Sequence, residues 1–136
     1  MLKKILFICR YNRFRSKYAE SLFKKINKNK DYKAKSAGAI KGFYPYDKNE
    51  LKVGKELGLS ITGRPQGLSS KLLDWADIYI IVADDVPASL FTDSIRYGKK
   101  LIIWKVPDAN PSNKNEIKKI IKQINKRIID FTENLK

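Results

Sequence analysis

The 136-residue chain is long enough for one compact domain, and its 43% hydrophobic content predicts a globular fold rather than disorder. One cysteine and no histidine exclude an internal disulfide, histidine-based catalysis and a zinc site built from cysteine and histidine. The net charge of +15 comes from lysines spread along the chain, which is typical of a solvated surface but also favours anionic ligands.

The sequence contains no apolar stretch of the roughly 20 residues that a membrane span needs. The apolar run at its start is interrupted at Arg10 and is too short for a secretory signal. There is no internal repeat and no low-complexity linker. We therefore expect a single cytoplasmic domain over residues 1–136 with no membrane partner.

Apolar residues at strand or helix spacing predict a regular alternation of elements. In chain order these are a strand over residues 3–8, a helix over 16–26, a strand over 33–36, a helix over 47–57, a short helix to 75, a strand over 77–82, a helical turn over 87–91, a strand over 100–106 and a long helix after 112. Ser16 is the predicted N-cap of the first helix, and Gly58 is the predicted end of the second.

Strands that alternate with helices predict an α/β fold. We expect a three-layer sandwich with a central parallel sheet of about four strands, right-handed crossovers and helices on both faces. In such folds ligands bind beyond the carboxyl ends of the strands. Cys9 and Asp108 both follow predicted strand ends, so chemistry is expected there.

The segment from Cys9 to Ser16 reads C-R-Y-N-R-F-R-S, and it contains three of the chain's six arginines. Five residues between a cysteine and an arginine can curl the backbone so that several N–H groups point at one centre. The following helix adds its N-terminal N–H groups, and Arg15 can grip two oxygens of a tetrahedral anion. The sequence therefore predicts a phosphate-binding loop after the first strand.

The same positive setting favours the thiolate form of Cys9, to which Ser16 can donate a hydrogen bond. A thiolate beneath a bound phosphate is placed for in-line attack on phosphorus. The alternative is that Cys9 is a small buried residue at a strand end and that the arginines coat a surface. The placement between a buried strand and a helix favours the phosphate loop.

The chain resembles the low-molecular-weight protein tyrosine phosphatases over nearly its whole length. The resemblance rests on segments in the family's order, namely ILFICRYNRFRSKYAESLF, SAG at 36–38, ELGL at 56–59, DIYIIV followed by Asp84 and Asp85, and VPDANP before the last helix. It implies a metal-independent enzyme without a cofactor. It also implies that Cys9 is the nucleophile and that Arg15 binds phosphate and the transition state.

By the same resemblance, Asn12 and Ser16 hold the loop and stabilise the thiolate, and Ser36 supports them from the next strand. Asp108, in V-P-D-A-N-P, matches the family's general acid and base. A carboxyl over the phosphate could protonate the leaving oxygen and then deprotonate water. Asp108 could instead simply begin a turn. Asp84 and Asp85 are expected to support the loops.

The chain departs from the family pattern at four positions. Tyr11 stands where glycine is usual, which predicts crowding or an unusual backbone angle there. Phe14 replaces a second cysteine, so the disulfide found in many members cannot form. Ala109 and Asn110 replace the usual proline and tyrosine after the acid. Aromatic residues expected to provide one or two walls of the cleft are Tyr11, Phe14, Phe43, Tyr44 and Tyr46.

The sequence therefore predicts a cysteine-dependent phosphomonoester hydrolase, specifically a protein tyrosine phosphatase, with inorganic phosphate as product and inhibitor. The predicted substrate-binding residues, all in the loop, are Arg10, Tyr11, Asn12, Arg13, Phe14 and Ser16. Arg10 and Arg13 also suggest a substrate rich in negative charge.

Two alternatives share the fold: a phosphate- or phosphopeptide-binding pseudoenzyme, and an arsenate reductase, although the latter needs further cysteines. A phosphoarginine substrate is disfavoured, because the positive charge of Arg13 would repel its guanidinium. A nucleic-acid partner is also disfavoured, because only the net charge suggests one.

Overall fold

The computed structural model describes residues 2–135 and forms one four-stranded parallel sheet in the order β2-β1-β3-β4. The strands are β1 (Lys3–Cys9), β2 (Tyr32–Gly38), β3 (Ile78–Val82) and β4 (Lys100–Trp104). The helices are α1 (Arg15–Ile26), α2 (Lys48–Glu56), α3 (Ser70–Trp75), α4 (Thr92–Arg96) and α5 (Lys114–Glu133). A 3-10 turn, Ala88–Phe91, leads into α4.

Alternate residues of the central strands face opposite sides of the sheet, as the two-residue period of a strand requires. Ile5 and Phe7 of β1 pack against α1, α2 and α5. Leu6 and Ile8 pack against α3 and the 3-10 turn. All four side chains are fully buried, and each such burial contributes about 1.5–3 kcal/mol. The predicted three-layer α/β sandwich is confirmed.

The helix ends follow from local side-chain chemistry. Asp47 caps α2 by accepting a hydrogen bond from the Glu50 N–H at 2.9 Å, and Gly58 follows the helix with a φ of +83°. Ser69 caps α3 and Asn113 caps α5 in the same way as Asp47. The predicted helix ends near residues 47 and 58 are therefore confirmed.

Several predicted bounds differ from the structure. β2 extends through Gly38, because Gly38 pairs with Cys9 in the sheet, and helix α4 was not predicted. The prediction that Ser16 caps α1 is wrong. The helix begins at Arg15 after Phe14, without a side-chain cap, and the Ser16 hydroxyl contacts Cys9 instead.

The single domain over residues 1–136 stays a prediction, and its first and last residues lie outside the described part. Within residues 2–135, no helix combines the length and apolar character needed to cross a membrane.

Sheet register places the functional loop. Cys9 ends β1 opposite Gly38, and the chain after β2 continues alongside the loop, where the Ala39 N–H donates to the Cys9 carbonyl at 2.9 Å. A Cβ atom at Gly38 would lie 2.7 Å from the Tyr11 carbonyl carbon. Glycine is therefore required at position 38 for the loop to pack so closely on β2.

Candidate active site

The thiol of Cys9 lies at the floor of the loop and is 2% exposed. Its Sγ is 2.9 Å from the hydroxyl oxygen of Ser16, which is fully buried. Asn12 donates its side-chain amide both to Ser16 Oγ, at 2.8 Å, and to Ser36 Oγ, at 2.9 Å. These contacts bring together the cysteine, asparagine and two serines that the sequence singled out.

The direction of these hydrogen bonds determines where the hydroxyl protons go. Because Asn12 donates to both serine oxygens, each hydroxyl keeps its own proton for another acceptor. Ser36 donates to a carboxylate oxygen of Glu20, and Ser16 can donate to the sulfur of Cys9. The network therefore places a hydroxyl donor beside the sulfur of Cys9 and fixes its position at the floor of the loop.

Asn12 also holds the backbone of the loop. It has a φ of +57°, in the left-handed region that costs most non-glycine residues about 1–2 kcal/mol. Its side-chain oxygen accepts a hydrogen bond from the Gln66 N–H at 3.0 Å. The unusual angle expected at Tyr11 is thus found at Asn12. Sequence reasoning missed Gln66, which is distant in sequence and reaches the loop only through the fold.

Arg15 is 2% exposed, and two loops fix its guanidinium. Nη1 donates to the Val106 carbonyl at 3.0 Å, beyond β4, and Nη2 pairs with Asp85 Oδ1 at 3.0 Å, beyond β3. Asp84 and Asp108 each lie 3.8 Å from the same guanidinium. The arginine is therefore held at the carboxyl edge of the sheet beside the cysteine loop.

A cavity of about 120 Å³ lies beside Cys9 and Arg15. Its lining residues are Cys9, Tyr11, Arg13, Phe14, Arg15, Glu50, Asp108, Ala109 and Pro111. The predicted nucleophile, arginine and acid therefore share one cavity. A larger cavity of about 680 Å³, beside Phe23 and Tyr32, contains none of them.

Asp108 lies at the rim of this cavity. Its side chain is 51% exposed, and its Oδ1 accepts a hydrogen bond from the Ala109 N–H at 3.0 Å. It is thus much more accessible to water than the loop floor. This exposure allows the carboxyl to meet both a substrate and a hydrolytic water.

The other predicted binding residues differ in position. Asn12 and Ser16 lie beneath the cavity rather than on its wall. Arg10 lies outside it, 3.9 Å from Asp85 and 5.1 Å from the Tyr11 ring centroid. Arg13 lines the cavity but donates Nη2 to the Pro45 carbonyl at 3.0 Å.

Two of the five aromatic candidates, Tyr11 and Phe14, line the cavity. Phe43 and Tyr44 are exposed outside it, and the guanidinium of Arg13 stacks over Phe43 at 5.0 Å. Tyr46 is buried and donates its hydroxyl to the Gly63 carbonyl. The cavity thus has two aromatic walls.

Glu50 is a cavity residue that sequence reasoning missed. It is 5% exposed, and burial raises the pKa of its carboxyl to about 8, with repulsion from Asp108 and Asp47 adding to the effect and Arg13 and Arg15 opposing it. The available signal was its position three residues before Val53, which places it on the buried face of α2.

The site combines a buried thiol, a fixed guanidinium, the N-terminus of α1 and an exposed carboxyl. The first three can hold a phosphate-like dianion with the sulfur beneath it, and the fourth can exchange a proton. Within the described residues no cluster of three or more acidic or cysteine side chains could hold a metal ion.

Comparison with known proteins agrees with this geometry. The family model described as low molecular weight phosphotyrosine protein phosphatase matches residues 4–136. The comparison with curated proteins finds no match.

Three solved structures illustrate the likeness. A low molecular weight protein tyrosine phosphatase from T. tengcongensis is 27% identical, with a TM-score of 0.84 over 98% of this chain and 99% of that one. The tyrosine phosphatase Wzb from Escherichia coli K30, in complex with sulphate, is 21% identical, with a TM-score of 0.79 over 100% of both chains. An arsenate reductase from Archaeoglobus fulgidus is 22% identical, with a TM-score of 0.73 over 96% and 99%.

The fold is thus shared by phosphatases and an arsenate reductase, while the family match covers nearly the whole sequence and includes the loop with Cys9 and Arg15. The chain belongs to the low molecular weight phosphotyrosine protein phosphatase family, and it is a cysteine-dependent phosphatase.

Proposed function

We propose that the protein hydrolyses phosphotyrosine in proteins, with Cys9 as nucleophile, Arg15 as phosphate ligand and Asp108 as general acid and base. The observation that carries the proposal is the shared cavity, in which the buried sulfur, guanidinium and exposed carboxyl line one space. The family match supports a phosphorylated substrate. The sulphate bound by Wzb supports a tetrahedral dianion as the ligand.

In the first step the Cys9 thiolate attacks phosphorus, so that an S–P bond forms and the P–O bond to the substrate breaks. Asp108 gives its proton to the leaving oxygen. Arg15 and the loop N–H groups stabilise the charge on the three equatorial oxygens. The result is phosphocysteine and a free tyrosine hydroxyl.

In the second step water attacks the phosphocysteine. Asp108, now ionised, takes a proton from the water as its oxygen bonds to phosphorus, and the S–P bond breaks. The thiolate is regenerated, with Ser16 donating to it, and inorganic phosphate leaves. Since phosphate is the same shape as the bound group, it should also inhibit competitively.

The cavity walls support an aromatic phosphomonoester. Tyr11 and Phe14 flank the space above Cys9, where a phenyl ring would gain stacking and apolar burial. An acidic phosphopeptide is the proposed preferred substrate, because Arg10 is 48% exposed in its side chain beside the cavity. Comparing kcat/KM for acidic and neutral phosphopeptides tests this preference, and equal values would contradict it.

The cytoplasm is the proposed location, because a catalytic thiolate survives best where thiols are kept reduced. Arsenate reduction by a thioredoxin-coupled route needs further cysteines, and this sequence has one. A pseudoenzyme would bind phosphate or vanadate tightly without turnover.

Hydrolysis of p-nitrophenyl phosphate without added metal tests the proposed function. Wild type should turn the substrate over, Cys9→Ser should abolish turnover, and Asp108→Asn should reduce it steeply. Full activity in Cys9→Ser would contradict the mechanism. Binding of phosphate without turnover in wild type would select the pseudoenzyme.

A further inference from the structure

Glu50 is a buried carboxyl in the anion cavity that the proposed chemical steps do not use. It belongs to the first turn of α2, and its backbone is fixed from both sides. Its N–H donates to Asp47 Oδ1 at 2.9 Å, and its carbonyl accepts the Tyr18 hydroxyl at 2.5 Å. Glu50 lines the cavity, and its fixed backbone leaves the side chain little freedom to turn away from it.

Among the side chains that the structure describes, the carboxyl oxygens of Glu50 have no hydrogen-bond or ion-pair partner. Neither oxygen is completely buried, so both retain contact with the cavity space. A carboxyl that faces an anion site without a partner is available to the ligand in that site.

Charged groups surround Glu50 from several parts of the chain, and the thiol of Cys9, at the end of β1, lines the same cavity. Asp47 precedes α2, Asp108 follows β4, and Arg13 and Arg15 come from the cysteine loop and the start of α1. Burial keeps the Glu50 carboxyl protonated at neutral pH, since it raises the pKa to about 8. In that form the group has one O–H donor and no charge.

The geometry points to Glu50 as a specificity-determining residue of the anion cavity: as the neutral acid it donates a hydrogen bond to the phosphoryl group, and once ionised it repels the dianion. This inference rests on the proposed function, because it assumes that the phosphoryl group occupies the cavity above Cys9. It assigns opposite effects to the two forms of one side chain. Asp108 differs, since it is exposed and acts on the leaving oxygen.

Sulfate is the suitable probe because it remains a dianion across the range in which Glu50 titrates. Its dissociation constant is measured by NMR titration from about pH 6.5 to about pH 9.5 on wild type, Glu50→Gln and Glu56→Gln. Glu56 lies on the same helix but is exposed, so its variant makes the same charge change away from the cavity.

Wild type and Glu56→Gln should lose sulfate affinity by about tenfold or more as pH rises through Glu50 ionisation, while Glu50→Gln should change by no more than about twofold. Parallel curves for all three proteins would overturn the role of Glu50. If wild type bound no sulfate at neutral pH, the anion cavity itself would be wrong and the proposed function would fail with it.

Proton uptake gives a second measurement, made on wild type and compared with Glu50→Gln. If sulfate binds only beside the neutral acid, binding near pH 8.5 must draw a proton onto Glu50. Calorimetry in two buffers of different ionisation enthalpy should report this proton uptake in wild type. In folded Glu50→Gln the uptake should be absent. Sulfate binding without proton uptake in wild type would overturn the inference while leaving the phosphatase mechanism intact.

Discussion

The floor and the rim of the cavity are built in different ways. On the floor, Cys9, Asn12, Ser16 and Ser36 are at most 2% exposed and are connected by hydrogen bonds of 2.8–2.9 Å. On the rim, Asp108 is 51% exposed in its side chain and 3.8 Å from Arg15. The floor is preorganised for an anion, whereas the proposed acid is exposed enough to contact both substrate and water.

The largest effect is expected where the floor meets the phosphate, at Arg15→Lys. Lysine keeps the charge but loses the planar pair of donors, and it cannot reproduce the contacts to both Val106 and Asp85. We expect kcat/KM for p-nitrophenyl phosphate to fall by about a thousandfold. The matched change Arg10→Lys, outside the cavity, should cost less than about threefold. A loss at Arg15→Lys as small as that at Arg10→Lys would show that Arg15 acts only as a charge.

A smaller loss is expected on the rim, at Asp108→Asn, and it should depend on the leaving group. Proton donation matters most for a poor leaving group, so we expect about a hundredfold loss for phenyl phosphate and a smaller loss for p-nitrophenyl phosphate. The ratio of kcat/KM values measures this, because kcat/KM reports the first step and not the hydrolysis of phosphocysteine that both substrates share. Asp84→Asn, which changes a carboxyl at the same distance from Arg15, is the control. Equal losses for the two substrates would exclude Asp108 as the acid.

The hydrogen bonds of the floor can be separated from its backbone strain at Asn12. Asn12→Ala removes the amide and places alanine at a φ of +57°, and we expect about 2–4 kcal/mol less stability in urea unfolding. Asn12→Gly removes the same hydrogen bonds without the strain, so it should recover about 1 kcal/mol. Identical unfolding free energies for the two variants would show that the loop relaxes out of the left-handed conformation.

The pH dependence of stability tests the burial of the Glu50 carboxyl. Its carboxyl has a pKa of about 8 in the folded protein, above its ordinary value near 4.5. Between these values the unfolded chain is ionised and the folded protein holds the proton, so stability falls as pH rises through this window. The loss is up to a few kcal/mol, at about 1.4 kcal/mol per pKa unit. Glu50→Gln should flatten this decline in urea unfolding, and an unchanged slope would contradict the burial effect.

Sequence periodicity was sufficient for the sheet and most helices, because buried strands and amphipathic helices have distinct spacing. The loop was also recognisable, since the C-x5-R-S spacing between a strand and a helix has a chemical meaning. The prediction of Ser16 as a cap is wrong because a serine at a helix start can either cap the helix or contact another side chain, as its hydroxyl does here with Cys9. Glu50 and Gln66 reach the site through tertiary packing, so no local pattern assigns them a partner.

The most direct test of the central claim is rapid-quench mass spectrometry of the enzyme during turnover of p-nitrophenyl phosphate. Wild type should carry one added phosphoryl group on the peptide that contains Cys9. Cys9→Ala, quenched in the same way, should carry none. Steady turnover with an unmodified Cys9 peptide at every quench time, or with the phosphoryl group on another residue, would contradict a phosphocysteine intermediate.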